Sequence, residues 1–211
     1  MSVQVFFDGG VRPHPNGGFA CCYGWIAKRD GKIMFEGSSI ERLTRNIGSC
    51  AVEQVALIKA MKSLLRRGLG DQPVVIVGDS QAVISLSAGQ ANASDERVKS
   101  FCNEVSTLCR KFKAVHFQWV PRELNREADR LGRTAFRTSP EMRKRHKLIV
   151  LANEELSHAV DSGVLGVSVA RWCELIVGKA RFGQMSEKEL HVIRKSVALL
   201  TLCSTVPQAV H

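Results

Sequence analysis

Two apolar runs in this chain end in an acid. Val3-Gln4-Val5-Phe6-Phe7 leads into Asp8-Gly9-Gly10, and Val74-Val75-Ile76-Val77-Gly78 leads into Asp79-Ser80. Each run has the length and β-branched or aromatic content of a buried strand. A carboxylate finishing such a strand is costly unless something compensates its charge. Two further acids fall at expected helix starts. Glu53 opens the apolar segment Ala51 to Leu65, and Asp129 lies in Asn125-Arg126-Glu127-Ala128-Asp129, just after the strand-like Val115 to Val120. A fold that places these strand ends and helix starts together aims four carboxylates at one point. Divalent metal is the natural compensating charge, because hard cations take oxygen ligands.

The rest of the chain narrows the setting. Its 211 residues suit one medium domain with a small appendage. The net charge of +10 favours a polyanionic partner, nucleic acid before an anionic membrane surface. No apolar run approaches the roughly 20 residues of a spanning helix, so no membrane partner is expected. The N-terminus shows no signal-peptide pattern. The seven cysteines form no Cys-x-x-Cys pair and are odd in number. This favours reduced thiols and a cytoplasmic location over a disulfide framework or zinc site.

Strand and helix signals alternate over residues 1–137. Strands are expected at Val3–Phe7, Phe19–Ala27, Lys32–Ser38, Val74–Val77 and Val115–Val120. Asp30-Gly31 is a hairpin turn, and Arg12 to Gly18 is a turn-rich link. Helices are expected from about Ser49 to Arg67, Ser80 to Ser87, Arg97 to Lys113 and Asn125 to Phe136. This order argues for an α/β mixed sheet with helices on its faces. Thr138-Ser139-Pro140 marks a boundary, so residues 138–211 form a separate helical domain of unknown role. There Val164–Val177 reads as a helix stopped by Gly178, residues 141–160 give one or two more, and Ser186-Glu187-Lys188-Glu189 is a capping box opening a helix to about Leu202.

The motifs in this order resemble type 1 ribonuclease H over residues 1–137. They are the strand ending in Asp8-Gly9-Gly10, the helix-borne Glu53, Asp79-Ser80-Gln81, and Trp119-Val120-Pro121-Arg122-Glu123-x-Asn125-x-x-Ala128-Asp129-x-Leu131. The last motif is the most specific, and its form is nearer the archaeal and plant-like branch. The resemblance implies a mixed five-stranded sheet flanked by helices, followed here by a small C-terminal α-helical extension. It implies a metal-dependent endonuclease that hydrolyses the RNA strand of RNA–DNA hybrids and leaves 5′-phosphate ends. Carried over by position, Asp8, Glu53, Asp79 and Asp129 are the catalytic, metal-binding carboxylates, holding two Mg²⁺ or Mn²⁺ ions. Asp8 bridges the ions, Glu53 and Asp79 serve the leaving-group side, and Asp129 serves the side that activates water. Gly9, Gly10, Ser49, Gln81 and Asn125 are the residues expected at the substrate.

The chain also departs from the family pattern. Gly48-Ser49-Cys50 stands where members often carry Thr-Asn-Asn, which reads the hybrid's minor groove. The loop Pro121-Arg122-Glu123-Leu124 lacks the histidine of bacterial members, leaving Arg122 or Glu123 as substitutes. The short Ser87–Asp95 link leaves no room for a basic handle. Plainer readings stand beside each acid. Asp8 suits a turn, Asp79-Ser80 a helix cap, and Glu53 a helix dipole, while Asp129 suits a solvated face with Arg126, Arg130 and Arg133. The basic segment Met142 to Lys147 is either a phosphate grip or a solvated helical face. The alternatives to a hybrid nuclease are a fold-retaining hybrid-binding or polymerase-associated adaptor, and a related nuclease with another nucleic-acid substrate, such as a resolvase or transposase. The C-terminal helices are a candidate docking module for replication or transcription machinery.

Overall fold

The computed structural model describes residues 2–14 and 17–205. Its first element is strand β1 (Val3–Pro13), paired antiparallel with β2 (Phe19–Arg29), which pairs antiparallel with β3 (Lys32–Leu43). Asp30 (φ 51°) and Gly31 (φ 73°) both adopt left-handed backbone between β2 and β3, as a two-residue hairpin turn requires. Helix α1 (Ser49–Arg66) then leads to β4 (Pro73–Gly78), and α2 (Gln81–Ser87) and α3 (Glu96–Cys109) lead to β5 (Ala114–Trp119). β4 is parallel to both β1 and β5. The sheet order is β3-β2-β1-β4-β5, the mixed five-stranded sheet that the resemblance implies. A 3-10 turn at Arg122–Leu124 precedes α4 (Arg126–Thr138).

The helices cover both faces. Val3, Val5, Phe7, Tyr23 and Ala27 share a core with Ala56, Leu57, Ala60, Met61 and Leu64 of α1. These strand residues alternate along β1 and β2, so α1 occupies the face they share. α4 lies on the other face, where a side chain at Gly24 would sit 2.6 Å from the Ala128 carbonyl oxygen and the Leu131 Cβ. Cys21 and Cys22 are both buried for this reason, one under each layer.

Several element bounds differ from the sequence reading. β1 continues beyond Phe7 to Pro13 because its ladder with β2 runs through Asp8↔Gly24 to Pro13↔Phe19. Asp8 therefore lies inside a long strand, and the expected turn begins later; Pro15 and Asn16 of that turn lie outside the described residues. β3 extends to Leu43, paired with β2 on both sides of a bulge at Met34. α3 stops at Cys109, because the chain turns to bury Phe112 and to let the Lys113 N–H donate to the Gly70 carbonyl (2.7 Å).

The described residues from Pro140 to Thr205 form a second compact unit, separate from the unit that ends at Ser139. It contains α5 (Pro140–Asp161), α6 (Val169–Val177) and α7 (Glu187–Thr205). Residues 141–160 thus belong to a single helix. α6 begins at Val169, later than Val164, because Ser168 caps it by accepting from the Arg171 N–H (3.3 Å), while Leu165 turns back to bond the Ala159 carbonyl (2.8 Å). The Gly178 stop is present in left-handed conformation (φ 69°). The capping box also forms, with the Ser186 N–H donating to Glu189 (2.7 Å) and the Glu189 N–H to Ser186 Oγ (3.2 Å). The basic segment divides: Arg145 is buried and donates to the Gly183 and Met185 carbonyls at 3.0 and 2.9 Å. That residue is neither a phosphate grip nor part of a solvated face. Cys21, Cys22, Cys50, Cys102, Cys109 and Cys173 are free thiols. Among the described residues no helix is long and apolar enough to cross a membrane.

Candidate active site

β1 outruns its parallel neighbour, and this creates the site. The β1–β4 register ends with Phe6↔Val77. Continuing it by two residues sets Asp8 beside Asp79, where β4 has already finished. Past that end both faces of the sheet are accessible from one opening. α1 approaches from one side with Glu53 in its first turns, and α4 from the other with Asp129 in its first turn. The approach is backbone to backbone: a Cβ at Gly9 would lie 2.8 Å from the Val52 carbonyl oxygen. Only glycine permits that distance.

Asp8, Glu53, Asp79 and Asp129 line one cavity of about 320 Å³, with Gly9, Gly10 and Ser49 in its wall. Arg12, Arg122 and Arg133 line it too. Burial, then the charges of Asp79, Glu53 and Asp129, push the Asp8 carboxyl up to about 7 against an opposing hydrogen bond from the Gly9 backbone. Burial also raises Glu53 to about 7, with Asp79 adding repulsion, while Ser80 and Arg122 pull the other way. Both carboxyls thus bear the cost of shared negative charge in a partly dry space.

Two of the acids have visible supports. Asp79 Oδ1 accepts from Asn125 Nδ2 at 2.6 Å, and the same amide donates to the Phe7 carbonyl at 2.9 Å. The Trp119 indole N–H donates to the Asp79 carbonyl oxygen at 3.0 Å. Asp129 Oδ1 accepts from Arg133 Nε at 2.8 Å, with an Arg122 guanidinium nitrogen 3.8 Å away. Asn125 was expected at the substrate. It is instead buried beneath Asp79, tying the end of β4 to β1. Gln81 is exposed at the start of α2 and does not line the cavity. Arg12 and the Trp119–Asp79 link were not anticipated. Arg133 was visible in sequence only as a solvating neighbour, although its i,i+4 spacing from Asp129 marks an ion pair.

The donor set suits a hard divalent cation. It is rich in carboxylate oxygen, two of its acids are raised by burial and then by neighbouring negative charge, and the buried Asn125 Oδ1 has no hydrogen-bond partner. Among the described residues no three acidic, histidine or cysteine side chains are drawn closely enough to ligate one ion. Uncompensated carboxylates repel, and Asp129 is held by arginine, so an open arrangement is the one electrostatics favours.

The sheet order and the placement of the four carboxylates define a ribonuclease H-like α/β domain. The chain belongs to the reverse transcriptase-like family, whose model matches residues 7–135. Among curated proteins it is similar to the bifunctional protein Rv2228c of Mycobacterium tuberculosis strain H37Rv, 25% identical over 135 residues, which are 64% of this chain and 35% of the relative. The match thus spans about a third of that relative's length. Among solved structures it is similar to ribonuclease H1 of the halophilic archaeon Halobacterium salinarum NRC-1, with TM-score 0.59 and 26% identity, covering 66% of this chain and all of the other. It is also similar to LC11 ribonuclease H1, isolated from compost by a metagenomic approach, with TM-score 0.57 and 25% identity over 64% of this chain and 94% of the other. A structure of LC11 ribonuclease H1 in complex with an RNA/DNA hybrid shares the fold at TM-score 0.56 and 21% identity, over 64% of this chain and 96% of the other.

Proposed function

We propose that this chain is a divalent-metal-dependent endoribonuclease that hydrolyses the RNA strand of RNA–DNA hybrids and leaves 5′-phosphate ends. The observation that carries the reading is the gathering of Asp8, Glu53, Asp79 and Asp129 around one cavity at the β1–β4 step. The similarity to two ribonucleases H1, one of them described with a hybrid, supports the substrate class.

Asp8, Glu53, Asp79 and Asp129 would hold Mg²⁺ or Mn²⁺. Bound there, divalent ions supply positive charge that activates water and stabilises the leaving oxygen in an in-line displacement at phosphorus. The protein's own contribution is positional. Asn125 fixes the Asp79 carboxylate, and Trp119 fixes the backbone that carries it. Gly9 sets the spacing between β1 and α1, and so between Asp8 and Glu53. With carboxyls near 7, Asp8 and Glu53 are poised to exchange protons for a cation at neutral pH. Arg12, Arg122 and Arg133 give the cavity wall a charge complementary to phosphate. Arg122 takes the place of the loop histidine of bacterial members. Ser49, exposed at the start of α1, and exposed Gln81 at the start of α2 are the groove contacts.

The six free thiols among the described residues suit a reducing compartment such as the cytoplasm. The exposed Leu175, Leu199 and Leu202 of the second unit suit docking to a protein partner.

The deciding experiment is cleavage of an end-labelled RNA–DNA hybrid beside duplex RNA and duplex DNA, with Mg²⁺, Mn²⁺ or EDTA. Metal-dependent cutting confined to the hybrid's RNA strand is expected. Folded protein that cuts nothing with either metal would refute the nuclease and favour a hybrid-binding adaptor. Preferred cutting of another duplex would favour the related-nuclease reading.

A further inference from the structure

The far half of α1 borders a second cavity, of about 430 Å³, in the first unit. Lys59, Lys62 and Arg66 of α1 line it, with Lys111 just beyond α3 and Trp25 of β2. None of these residues lines the carboxylate cavity. Positions 59, 62 and 66 fall on one helix face, so their cations form a row.

We infer that this cavity is a second nucleic-acid contact, gripping backbone phosphates of the substrate beyond the catalytic cleft. The inference rests on the reading of the chain as a nucleic-acid enzyme. Four observations carry it. First, four cations meet here in a chain of net charge +10. Second, Arg66 and Lys111 have no acidic partner within 4 Å among the described residues. The other two cations are in exposed pairs, Lys59 with Glu41 (3.1 Å), where Tyr23 also takes part, and Lys62 with Glu104 (2.6 Å). Such pairs are weak and give way to a phosphate. Third, the cavity has a fixed wall in Trp25, whose indole N–H edge is buried. Its ring is held against Gly37, where any Cβ would collide, and stacks on Tyr23 with centroids 6.2 Å apart. Fourth, the cavity is at a useful distance. At 1.5 Å per helical residue, Lys59 lies about 9 Å along α1 from Glu53 and Arg66 about 20 Å. With one phosphate per about 3.4 Å of helix axis on each strand, that reach corresponds to about six nucleotides from the cleft.

The test uses the full chain and the double variant Arg66→Gln/Lys111→Gln. Binding is measured by fluorescence anisotropy in EDTA, across a salt series, for hybrids of about 20 and about five base pairs; at about 3.4 Å per base pair the shorter covers about 17 Å and does not reach from the cleft to Arg66. For the long hybrid we expect about tenfold weaker binding and a log–log salt slope shallower by about two, since each lost phosphate contact removes about 0.9. Binding and metal-dependent cleavage of the short hybrid should match the unsubstituted chain. Long-hybrid affinity and slope unchanged in a variant with native circular dichroism would overturn the inference and leave an acidic protein surface as the occupant. Equal losses on both lengths would overturn it too, by assigning the cations to the cleft. The nuclease reading fails separately: a chain that cuts no hybrid, yet binds long duplexes through Arg66 and Lys111, keeps this contact and loses that activity.

Discussion

Asn125 Nδ2 sits 2.6 Å from Asp79 Oδ1, and it does so from a buried position that also bonds the Phe7 carbonyl. One amide thus ties the residue ending β4's run to the strand carrying Asp8. Removing it frees the Asp79 carboxylate to rotate and leaves a buried carbonyl unpaired. Asn125→Ala should lower metal affinity or cleavage by about 10- to 100-fold, the usual effect of losing a support behind a metal ligand. It should also cost about 1–3 kcal/mol of stability for the orphaned acceptor. Isothermal titration with Mg²⁺ and urea denaturation measure the two effects. Full metal affinity in the variant would show that Asp79 does not depend on this bond.

Asp8→Asn and Asp79→Asn should each reduce hybrid cleavage by about 10³-fold or more, because both act where charge develops in the transition state. Hybrid affinity should stay within a few-fold, since neither carboxylate attracts phosphate. Single-turnover cleavage and anisotropy, run on the same preparations, separate the two. Cleavage that survives in both folded variants removes the nuclease assignment.

Arg133 is a resident cation that competes with any incoming one for Asp129. The pair is partly exposed, so its loss is worth about 0.4–1 kcal/mol. Arg133→Gln should therefore tighten Mg²⁺ binding about two- to fivefold, read as a lower half-saturation in a thermal-shift titration. Weaker binding would mean that Arg133 helps to hold the metal-bound arrangement.

The raised carboxyls set a pH dependence. Asp8 and Glu53 have folded values of about 7, against ordinary values of 3.8 and 4.5. A raised acid contributes stability that is fully present below its unfolded pKa and is lost as pH climbs through the folded one. Metal-free protein should accordingly lose stability between about pH 4 and pH 7, and added Mg²⁺ should restore it most at the alkaline end. Asp8→Asn should flatten the profile. Melting temperatures in EDTA across that range test this, and a metal-free protein that gains stability over the same window would contradict it.

Gly9→Ala would place a methyl 2.8 Å from the Val52 carbonyl oxygen. Since that neighbour is backbone, α1 must shift, at a cost of about 1–3 kcal/mol. The displaced helix carries Glu53, so cleavage should fall alongside stability. Gly10→Ala, with nothing within 4 Å of the added carbon, is the matched control.

Much of this site could be read before any coordinates. Asp8 and Asp79 stood out because a charge after an apolar run violates hydrophobic patterning, and such violations are where function shows. The capping box at Ser186 and the hairpin at Asp30-Gly31 were legible because both are local. What escaped depends on distant parts of the chain. β1 runs on through glycine and arginine because β2 pairs with it, although its apolar pattern stops at Phe7. Asn125 resembles any polar residue before a helix until the fold buries it behind Asp79. Arg145 belongs to a basic run, and only the packing of the second unit turns it toward the carbonyls near Met185.

The contacts at Gly9 and Gly24 lie one residue from Asp8 and directly across the ladder from it, one against α1 and the other against α4. Both bring main chain against main chain, Gly9 against the Val52 carbonyl and Gly24 against the Ala128 carbonyl. The backbone amides of this stretch should be among the slowest in the domain to exchange with deuterium. An engineer wishing to retune the cleft has no side chain to trim here and would have to move a helix.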